Sequence, residues 1–341
     1  MPTPDHLLDD LLDELFERPA EQGVSLACVA VHRGEVVVER YGVQPANDFQ
    51  PAEQITAEST LLSWSMAKSM THAAVGLLVG DGRLDVDAPA PVPEWVGTEK
   101  AAITLLQLLE MRPGLTFVED YVDDGVSNCI EMLFSGAHES FGRYAASLPL
   151  ARTPGEAFNY SSGTTNIVTR IIGDVITGTR SGPGSDATQR QQAVGDFLRH
   201  RLFEPSSMHS ATAKFDPAGD FVGSSYVYAT ARDFARFGEL YLHDGVTDAG
   251  RGERILPAGW LDHARTPSAH DPESGFDYGR HWWLWPAFPG SLACHGYEGQ
   301  FTLVVPSLDL VLVHLGKTAV AHNPGLAMRV ARLAQSICSA G

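Results

Sequence analysis

The pattern of apolar and polar residues predicts a chain whose two ends are rich in β-strands and whose middle is helical. Leucines recur at helical spacing in residues 1–21, which predicts a first amphipathic helix. Residues 24–32 form a continuous apolar run with β-branched residues, and a turn at Arg33-Gly34 separates this run from the strand pattern of residues 35–41. Two runs of this kind on either side of a short turn predict a β-hairpin.

The β pattern returns near the other end of the chain. Residues 292–296 predict a short strand that ends at a glycine, and residues 300–305 and 310–315 predict two apolar strands that form another hairpin. An amphipathic helical pattern over residues 324–339 follows. Terminal pieces that pair into one sheet, with a helical middle inserted, account for this order. We therefore expect an α/β chain of the α+β kind, with an antiparallel five-stranded sheet flanked by terminal helices.

The middle of the chain predicts helices separated by loops. Apolar residues at helical spacing predict helices over residues 65–80, 103–111, 127–134, 140–147, 164–177, 191–202 and 230–242. Residues 178–190 are rich in glycine, serine, threonine and arginine, which predicts a mobile loop. We expect residues 1–60 and 275–341 to form a discontinuous sheet domain and residues 61–274 a mostly helical domain, with the active site at their interface.

Charge narrows the choice of partners. The chain has 341 residues and a formal net charge of −18. Nucleic acids and anionic membranes bind clustered cations, so this charge argues against both as partners. No apolar run approaches the length that spans a membrane. We expect a small-molecule substrate, and the sequence indicates no oligomeric state.

The cysteines and histidines indicate neither a disulfide framework nor a metal site. The four cysteines are scattered without Cys-x-x-Cys spacing, which favours reduced thiols in a cytoplasmic protein. The first helix lacks the basic region and the uninterrupted apolar region of a signal peptide. The thirteen histidines are dispersed and form no His-Glu-x-x-His motif, so we expect no metal and no cofactor.

Ser65 and Lys68 form a Ser-x-x-Lys motif at the head of an apolar helix. Residues three apart share one face of a helix, so a hydroxyl and an amine would meet near its N-terminus. This is the arrangement of a serine nucleophile with a lysine base. The alternative interpretation is a helix cap at Ser65 and a surface lysine at Lys68. Lys68 lies among apolar residues and, of the four lysines, it alone follows a serine by three residues, which favours catalysis.

Two further stretches could complete such a site. Tyr160 stands in a Tyr-Ser-Ser turn before a helix, where its phenol could relay a proton to or from the lysine. A packed core tyrosine is the alternative. His295-Gly296 ends a predicted strand, and an N–H at this edge could form an oxyanion hole together with the N–H of Ser65. A simple β-turn is the alternative there.

In order and spacing, these stretches resemble the motifs of the serine β-lactamase and penicillin-binding-protein superfamily. The motifs are Ser65-Met66-Ala67-Lys68, Tyr160-Ser161-Ser162 and Cys294-His295-Gly296. The chain is most similar to the class C β-lactamase-related branch that holds 6-aminohexanoate-dimer hydrolase and similar esterases. The resemblance covers residues 24–320 and implies a β-lactamase-like fold.

The resemblance also implies roles for the matching residues. Ser65 would be the acylated nucleophile, Lys68 the base that takes its proton, and Tyr160 the residue that assists this transfer and protonates the leaving group. The backbone N–H groups of Ser65 and Tyr297 would hold the oxyanion. Tyr121 matches a tyrosine that closes over the substrate in the dimer hydrolase. The other residues expected to contact the substrate are Ser162, Trp283, His295, Gly296 and Glu298.

Two departures from the β-lactamase pattern bear on the substrate. Ser162 stands where β-lactamases have an asparagine, and Cys294 stands where they have the lysine of a Lys-Thr-Gly motif. That lysine helps to bind the substrate carboxylate, so a penicillin should bind poorly. We therefore expect a serine hydrolase that cleaves a small ester or amide, an esterase or amidase rather than an efficient β-lactamase. The alternatives are an acyltransferase that uses the same acyl-enzyme and a non-catalytic sensor similar to penicillin-binding proteins.

Overall fold

A computed structural model describes residues 4–48, 50–120, 125–182 and 184–340 of the chain. Its helices are α1 (Pro4–Phe16), α2 (Ala67–Gly80), α3 (Leu105–Leu109), α4 (Asn128–Phe134), α5 (Phe141–Ser147), α6 (Ser162–Thr177), α7 (Ala187–Leu198), α8 (Ala231–Leu242), α9 (Thr247–Gly250), α10 (Trp260–Arg265) and α11 (Asn323–Ala340). Its strands are β1 (Val24–His32), β2 (Glu35–Tyr41), β3 (Val43–Gln44), β4 (Glu53–Gln54), β5 (Leu61–Leu62), β6 (Thr212–Ala213), β7 (Val227–Ala229), β8 (Ala269–His270), β9 (Asp277–Tyr278), β10 (Trp283–Leu284), β11 (Leu292–Gly296), β12 (Gln300–Val305) and β13 (Leu310–Lys317).

The main sheet is antiparallel, with strands in the order β2-β1-β13-β12-β11-β10-β9-β8. The five strands that the sequence predicted are the first five in this order, and they are its long strands. The strands β10, β9 and β8 have only two residues each and extend the sheet beyond β11. Two residues are too few to show an alternating apolar pattern, and therefore the sequence predicted five strands where the sheet has eight.

The two faces of the sheet pack against different parts of the chain. Side chains alternate between the faces along each strand. Val311 and Val313 of β13 lie in a core shared with α2, α6 and α8. Leu310 and Leu312 of the same strand lie in a second core shared with α1 and α11. The terminal helices therefore cover one face, as predicted, and the middle of the chain covers the other.

Helix α8 joins the middle of the chain to the sheet. Thr230 caps its N-terminus, because its side chain accepts a hydrogen bond from the Asp233 N–H. The helix packs on β1, β12 and β13. A Cβ on Gly238 would lie 2.5 Å from the side chain of Val311, so the glycine permits this close approach. The division of the chain into a sheet domain and a helical domain stays a prediction.

The prediction of a mobile loop over residues 178–190 is wrong in its last part. Helix α7 already begins at Ala187. Arg190 is buried, and its guanidinium forms ion pairs with Asp174 and Asp220. An arginine in a polar stretch suggests a solvated surface, and only the tertiary structure shows that the buried Asp220 and the half-buried Asp174 lie around it.

Candidate active site

Ser65 lies in a tight turn immediately before α2. This turn spans Trp64–Met66, and we call it the Ser65 turn. The backbone of Trp64 adopts a left-handed φ of 44°, which costs about 1–3 kcal/mol and persists only where the surroundings hold it. Ser63 holds it from one side, because its Oγ accepts a hydrogen bond from the Val227 N–H at 3.0 Å. Ser65 itself is half-buried.

Lys68 lies on the first turn of α2 and is 2% exposed. Its Nζ donates hydrogen bonds of 3.0 Å to Ser65 Oγ, to Ser162 Oγ and to the carbonyl oxygen of Ser224. An ammonium group has three protons and no acceptor, so these three bonds use all of its protons. Lys68 is therefore not a surface lysine, and its amine is aimed at the hydroxyl of Ser65.

Tyr160 lies beside both residues, in the segment that leads into α6. Lys68 Nζ is 4.8 Å from the centroid of the tyrosine ring. The Tyr160 hydroxyl lies beside the polar groups of Ser65 and Lys68. Burial raises the pKa of this phenol, the charge of Lys68 opposes the rise, and the charge of Glu119 adds to it. The phenol is therefore protonated at neutral pH and can donate its proton.

The end of β11 lies against the Ser65 turn. A Cβ on Gly296 would lie 2.4 Å from the carbonyl oxygen of Ser63, so only a glycine fits there. The ring of Tyr297 packs edge-to-face on Trp64 with centroids 5.6 Å apart. Glu298 accepts a hydrogen bond of 3.2 Å from the indole N–H of Trp64. These contacts set the position of the β11–β12 connection relative to the turn.

A buried carboxylate that the sequence analysis did not identify completes the cluster. Glu119 Oε1 accepts a hydrogen bond of 2.6 Å from Ser162 Oγ, and Oε2 accepts one of 2.7 Å from the Ser162 N–H. Ser162 begins α6, so this N–H has no partner within the helix. Burial raises the pKa of the Glu119 carboxyl, and the charge of Lys68 opposes the rise. The side chain as a whole is half-buried, with its carboxyl at the buried end.

The sequence contains one signal that Glu119 could belong to the site. Glu119 precedes Asp120 and Tyr121, and Tyr121 is one of the positions that match the family. Adjacent acidic residues are typical of a solvated loop, and 43 positions separate Glu119 from Ser162. No local pattern shows that the chain brings these two residues together.

The rings of His295 and Trp283 form an aromatic pair next to Tyr160. Their rings stack with centroids 5.2 Å apart and an interplanar angle of 16°. The indole N–H of Trp285 donates a hydrogen bond of 2.7 Å to His295 Nε2. Burial lowers the pKa of His295 to about 3, so the imidazole is neutral. Trp283 also lies against Tyr160, with ring centroids 5.3 Å apart.

The structure brings together most of the residues that the sequence selected. Lys68 is hydrogen-bonded to Ser65 and Ser162, and Tyr160 lies beside it, with its ring centroid 4.8 Å from Lys68 Nζ. Tyr121 lies outside the described residues. Contact of the substrate with the remaining selected residues stays a prediction for Trp283, His295, Gly296 and Glu298.

Known proteins match this chain over nearly its entire length. The model of the Beta-lactamase family matches residues 8–335. The 6-aminohexanoate-dimer hydrolase of Paenarthrobacter ureafaciens is 26% identical over 327 residues, which cover 90% of this chain and 77% of that protein.

Two solved structures have the same fold. A family VIII carboxylesterase superimposes with a TM-score of 0.72 at 16% identity, over 99% of this chain and 98% of the other. EstCE1, a hydrolase with promiscuous acyltransferase activity, superimposes with a TM-score of 0.71 at 15% identity, over 97% of this chain and 99% of the other. Identities this low show the fold alone. The family match extends over nearly the entire sequence, and the protein therefore belongs to the beta-lactamase family.

Proposed function

We propose that this protein is a serine hydrolase that cleaves a small ester or amide through an acyl-enzyme on Ser65. The observation that carries the proposal is the 3.0 Å contact between Lys68 Nζ and Ser65 Oγ, with Tyr160 beside both residues. A lysine and a tyrosine that can exchange protons thus surround one accessible hydroxyl. The relation to 6-aminohexanoate-dimer hydrolase supports an amide substrate, and the fold shared with a carboxylesterase is compatible with an ester.

The proposed reaction begins when Ser65 Oγ attacks the carbonyl carbon of the substrate while its proton passes to the neutral amine of Lys68. The backbone N–H groups of Ser65 and Tyr297 would stabilise the oxyanion that forms. When the intermediate collapses, the bond to the leaving group breaks. Tyr160 donates its proton to that group and takes up the proton held by Lys68. Water then attacks the acyl group by the reverse proton path, which releases the acid and restores Ser65.

Cys294 supports a substrate without a carboxylate beside the scissile bond. Its side chain is 2% exposed, and burial raises the pKa of the thiol to about 12, so this position carries no charge. By the family resemblance, a β-lactamase has at this position a lysine that helps to bind the substrate carboxylate. The proposed enzyme therefore prefers uncharged acyl groups and hydrolyses penicillins poorly.

We infer a cytoplasmic location, with the thiols as support. The cysteines Cys28, Cys129, Cys294 and Cys338 are reduced thiols that form no disulfide with one another. Free thiols persist in a reducing compartment. Across the part of the chain that the structure describes, no helix has both the length and the apolarity needed to cross a membrane.

Hydrolysis of p-nitrophenyl acetate tests the proposed function. Ser65→Ala and Lys68→Ala should each lower kcat/KM at least about 10³-fold, because nucleophile and base act as one unit. Ser59→Ala removes a hydroxyl whose hydrogen bonds stay within its own loop, with Thr56, and serves as the control with unchanged activity. Circular dichroism shows whether each variant is folded. A folded Ser65→Ala protein that still turns over the ester contradicts the proposal.

The same assay separates hydrolysis from acyl transfer. With a small alcohol added, a hydrolase releases mainly acetate, whereas an acyltransferase releases mainly the acetate ester of the alcohol. The proposal predicts acetate as the main product.

A further inference from the structure

A line of three polar side chains leads from Lys68 away from Ser65 into the protein. Lys68 Nζ lies 3.0 Å from Ser162 Oγ, and Ser162 Oγ lies 2.6 Å from Glu119 Oε1. Ser162 is fully buried. The proposed function uses Ser65, Lys68 and Tyr160, and it gives no role to this branch.

The chemistry of the three groups determines the direction of their hydrogen bonds. An ammonium group has no lone pair, so Lys68 can only donate to Ser162 Oγ. The single hydroxyl proton of Ser162 must then point to Glu119, which can accept it as a carboxylate. If Lys68 is neutral and Glu119 is protonated, each bond reverses: Glu119 donates to Ser162, and Ser162 donates to the amine. Both arrangements satisfy every group in the line.

Lys68 and Glu119 are the two groups of this cluster between which a proton can move, because of the groups that surround them. Four titratable side chains face them: Tyr160 before α6, Tyr278 on β9, His281 after it, and Cys129 on α4. Burial raises the pKa of both tyrosines and lowers the pKa of His281 to about 3, so these three groups are uncharged at neutral pH. The Cys129 thiol donates a hydrogen bond to Glu119.

We propose that Glu119 is a positioning residue that makes the amine of Lys68 neutral by storing its proton, with Ser162 as the bridge. The N–H bond of Lys68 breaks as an O–H bond forms on Ser162, and the original O–H bond of Ser162 breaks as one forms on Glu119 Oε1. The charged pair thereby becomes a neutral amine and a neutral acid, and no proton leaves the site. The neutral amine can then take the proton of Ser65. Glu119 itself touches neither the substrate nor Ser65.

Burial supports this transfer. A charged pair loses its hydration in a buried site, which favours the neutral forms. The pKa of the Glu119 carboxyl is raised because burial disfavours its charged form. At low pH the pair gains a further proton on Glu119, and the line then has no acceptor for the proton of Lys68.

The inference rests on the proposed function, and the rate at which a fluorophosphonate labels Ser65 tests both. Glu119→Gln keeps the size of the side chain and an acceptor for the Ser162 hydroxyl, but it cannot store a proton. The proton of Lys68 then has no acceptor along this line and must pass to solvent. The acid limb of the labelling rate should move upward by about 1–2 pH units, with a loss of about 10- to 100-fold at pH 7 that disappears above pH 9.

Three variants control the experiment. Ser162→Ala removes the bridge and should give the same upward move of the acid limb, so the test stands even if Glu119→Gln does not fold. Glu119→Asp keeps a carboxyl group and should leave the acid limb near that of the wild type. Glu131→Gln removes an exposed carboxylate from α4 and should change nothing.

The outcomes separate the two proposals. If the reagent labels the wild type at Ser65, but Glu119→Gln and Ser162→Ala share its acid limb or lose the same factor at every pH, Glu119 has only a structural role and this inference is wrong. If the reagent leaves Ser65 unmodified at every pH in the wild type, the proposed function is wrong, and the inference falls with it.

Discussion

The indole N–H of Trp64 donates a hydrogen bond to the carboxylate of Glu298 at 3.2 Å, and this bond ties the Ser65 turn to the β11–β12 connection. Both residues have left-handed backbone angles, with φ of 44° at Trp64 and 64° at Glu298. Two strained positions that face each other and share one hydrogen bond hold each other in place. In the proposed mechanism, one N–H of the oxyanion hole belongs to each side of this contact, at Ser65 and Tyr297.

Loss of the Trp64 N–H should therefore impair catalysis. Trp64→Phe keeps a ring against Tyr297 but removes the donor, and we expect kcat/KM to fall about tenfold because the two N–H groups are held less well. Unfolding stability should fall by about 1 kcal/mol. Glu298→Ala should behave in the same way, and Glu298→Gln, which keeps an acceptor, should resemble the wild type. An equal loss in Glu298→Gln and Glu298→Ala, with none in Trp64→Phe, would show instead that Glu298 binds the substrate through its charge.

The buried Arg190 should contribute strongly to stability. Its guanidinium bonds to Asp174, Asp220 and the carbonyl oxygen of Arg170. Arg190→Ala leaves two carboxylates without their cation, which should lower the free energy of unfolding by about 3–5 kcal/mol. Urea denaturation at neutral pH measures this change.

Arg199 is the matched control for Arg190, because it follows α7 and forms an exposed ion pair with Asp196. Arg199→Ala should change the free energy of unfolding by less than about 1 kcal/mol. Equal effects of the two substitutions would contradict the account of α7 as an element anchored in the core.

His314 should make the fold sensitive to acid. Its imidazole is buried between Ser25 Oγ and the carbonyl oxygen of Gly299, at 2.8 Å from each. Burial lowers its pKa to about 3, from an ordinary value of 6.5. Between these two values the native state binds fewer protons than the unfolded state, so the stability that is present above pH 6.5 is lost as the pH falls towards 3.

Urea denaturation at several pH values measures this loss. The slope of unfolding free energy against pH between pH 4 and 6 should be smaller in His314→Gln than in the wild type by about 1.4 kcal/mol per pH unit, which corresponds to one proton. His314→Gln should also be less stable at pH 7. His322→Gln changes an exposed histidine and should keep the wild-type slope. An unchanged slope in His314→Gln would mean that this histidine does not contribute to acid unfolding.

The sequence predicted those elements whose pattern lies entirely within a short stretch of the chain. The apolar runs of β1, β12 and β13 could be read directly, because each depends on a few adjacent residues. The motif of Ser65 and Lys68 was also local, since one helical turn brings the two side chains together. The position of Ser65 differs slightly from the prediction, because a tight turn precedes α2 and the serine lies in that turn.

The features that escaped prediction depend on distant parts of the chain. Glu119 stands in an acidic segment, and only its burial against α6 makes it part of the site. The burial of Arg190 also escaped prediction, because its partners lie in α6 and in the loop before β7. Glu298 was selected as a substrate contact, and the structure adds its bond to Trp64. Charged residues suggest solvent exposure in a sequence unless their buried partners are known.

The acyl-enzyme on Ser65 is the central claim, and intact-mass spectrometry after a rapid acid quench tests it most directly. During turnover of p-nitrophenyl acetate, the wild type should gain the mass of one acetyl group, and peptide mapping should place that group on Ser65. Ser59→Ala should show the same adduct, and Ser65→Ala should show none. Turnover by the wild type without any adduct, or an acetyl group that persists in Ser65→Ala, would contradict the account.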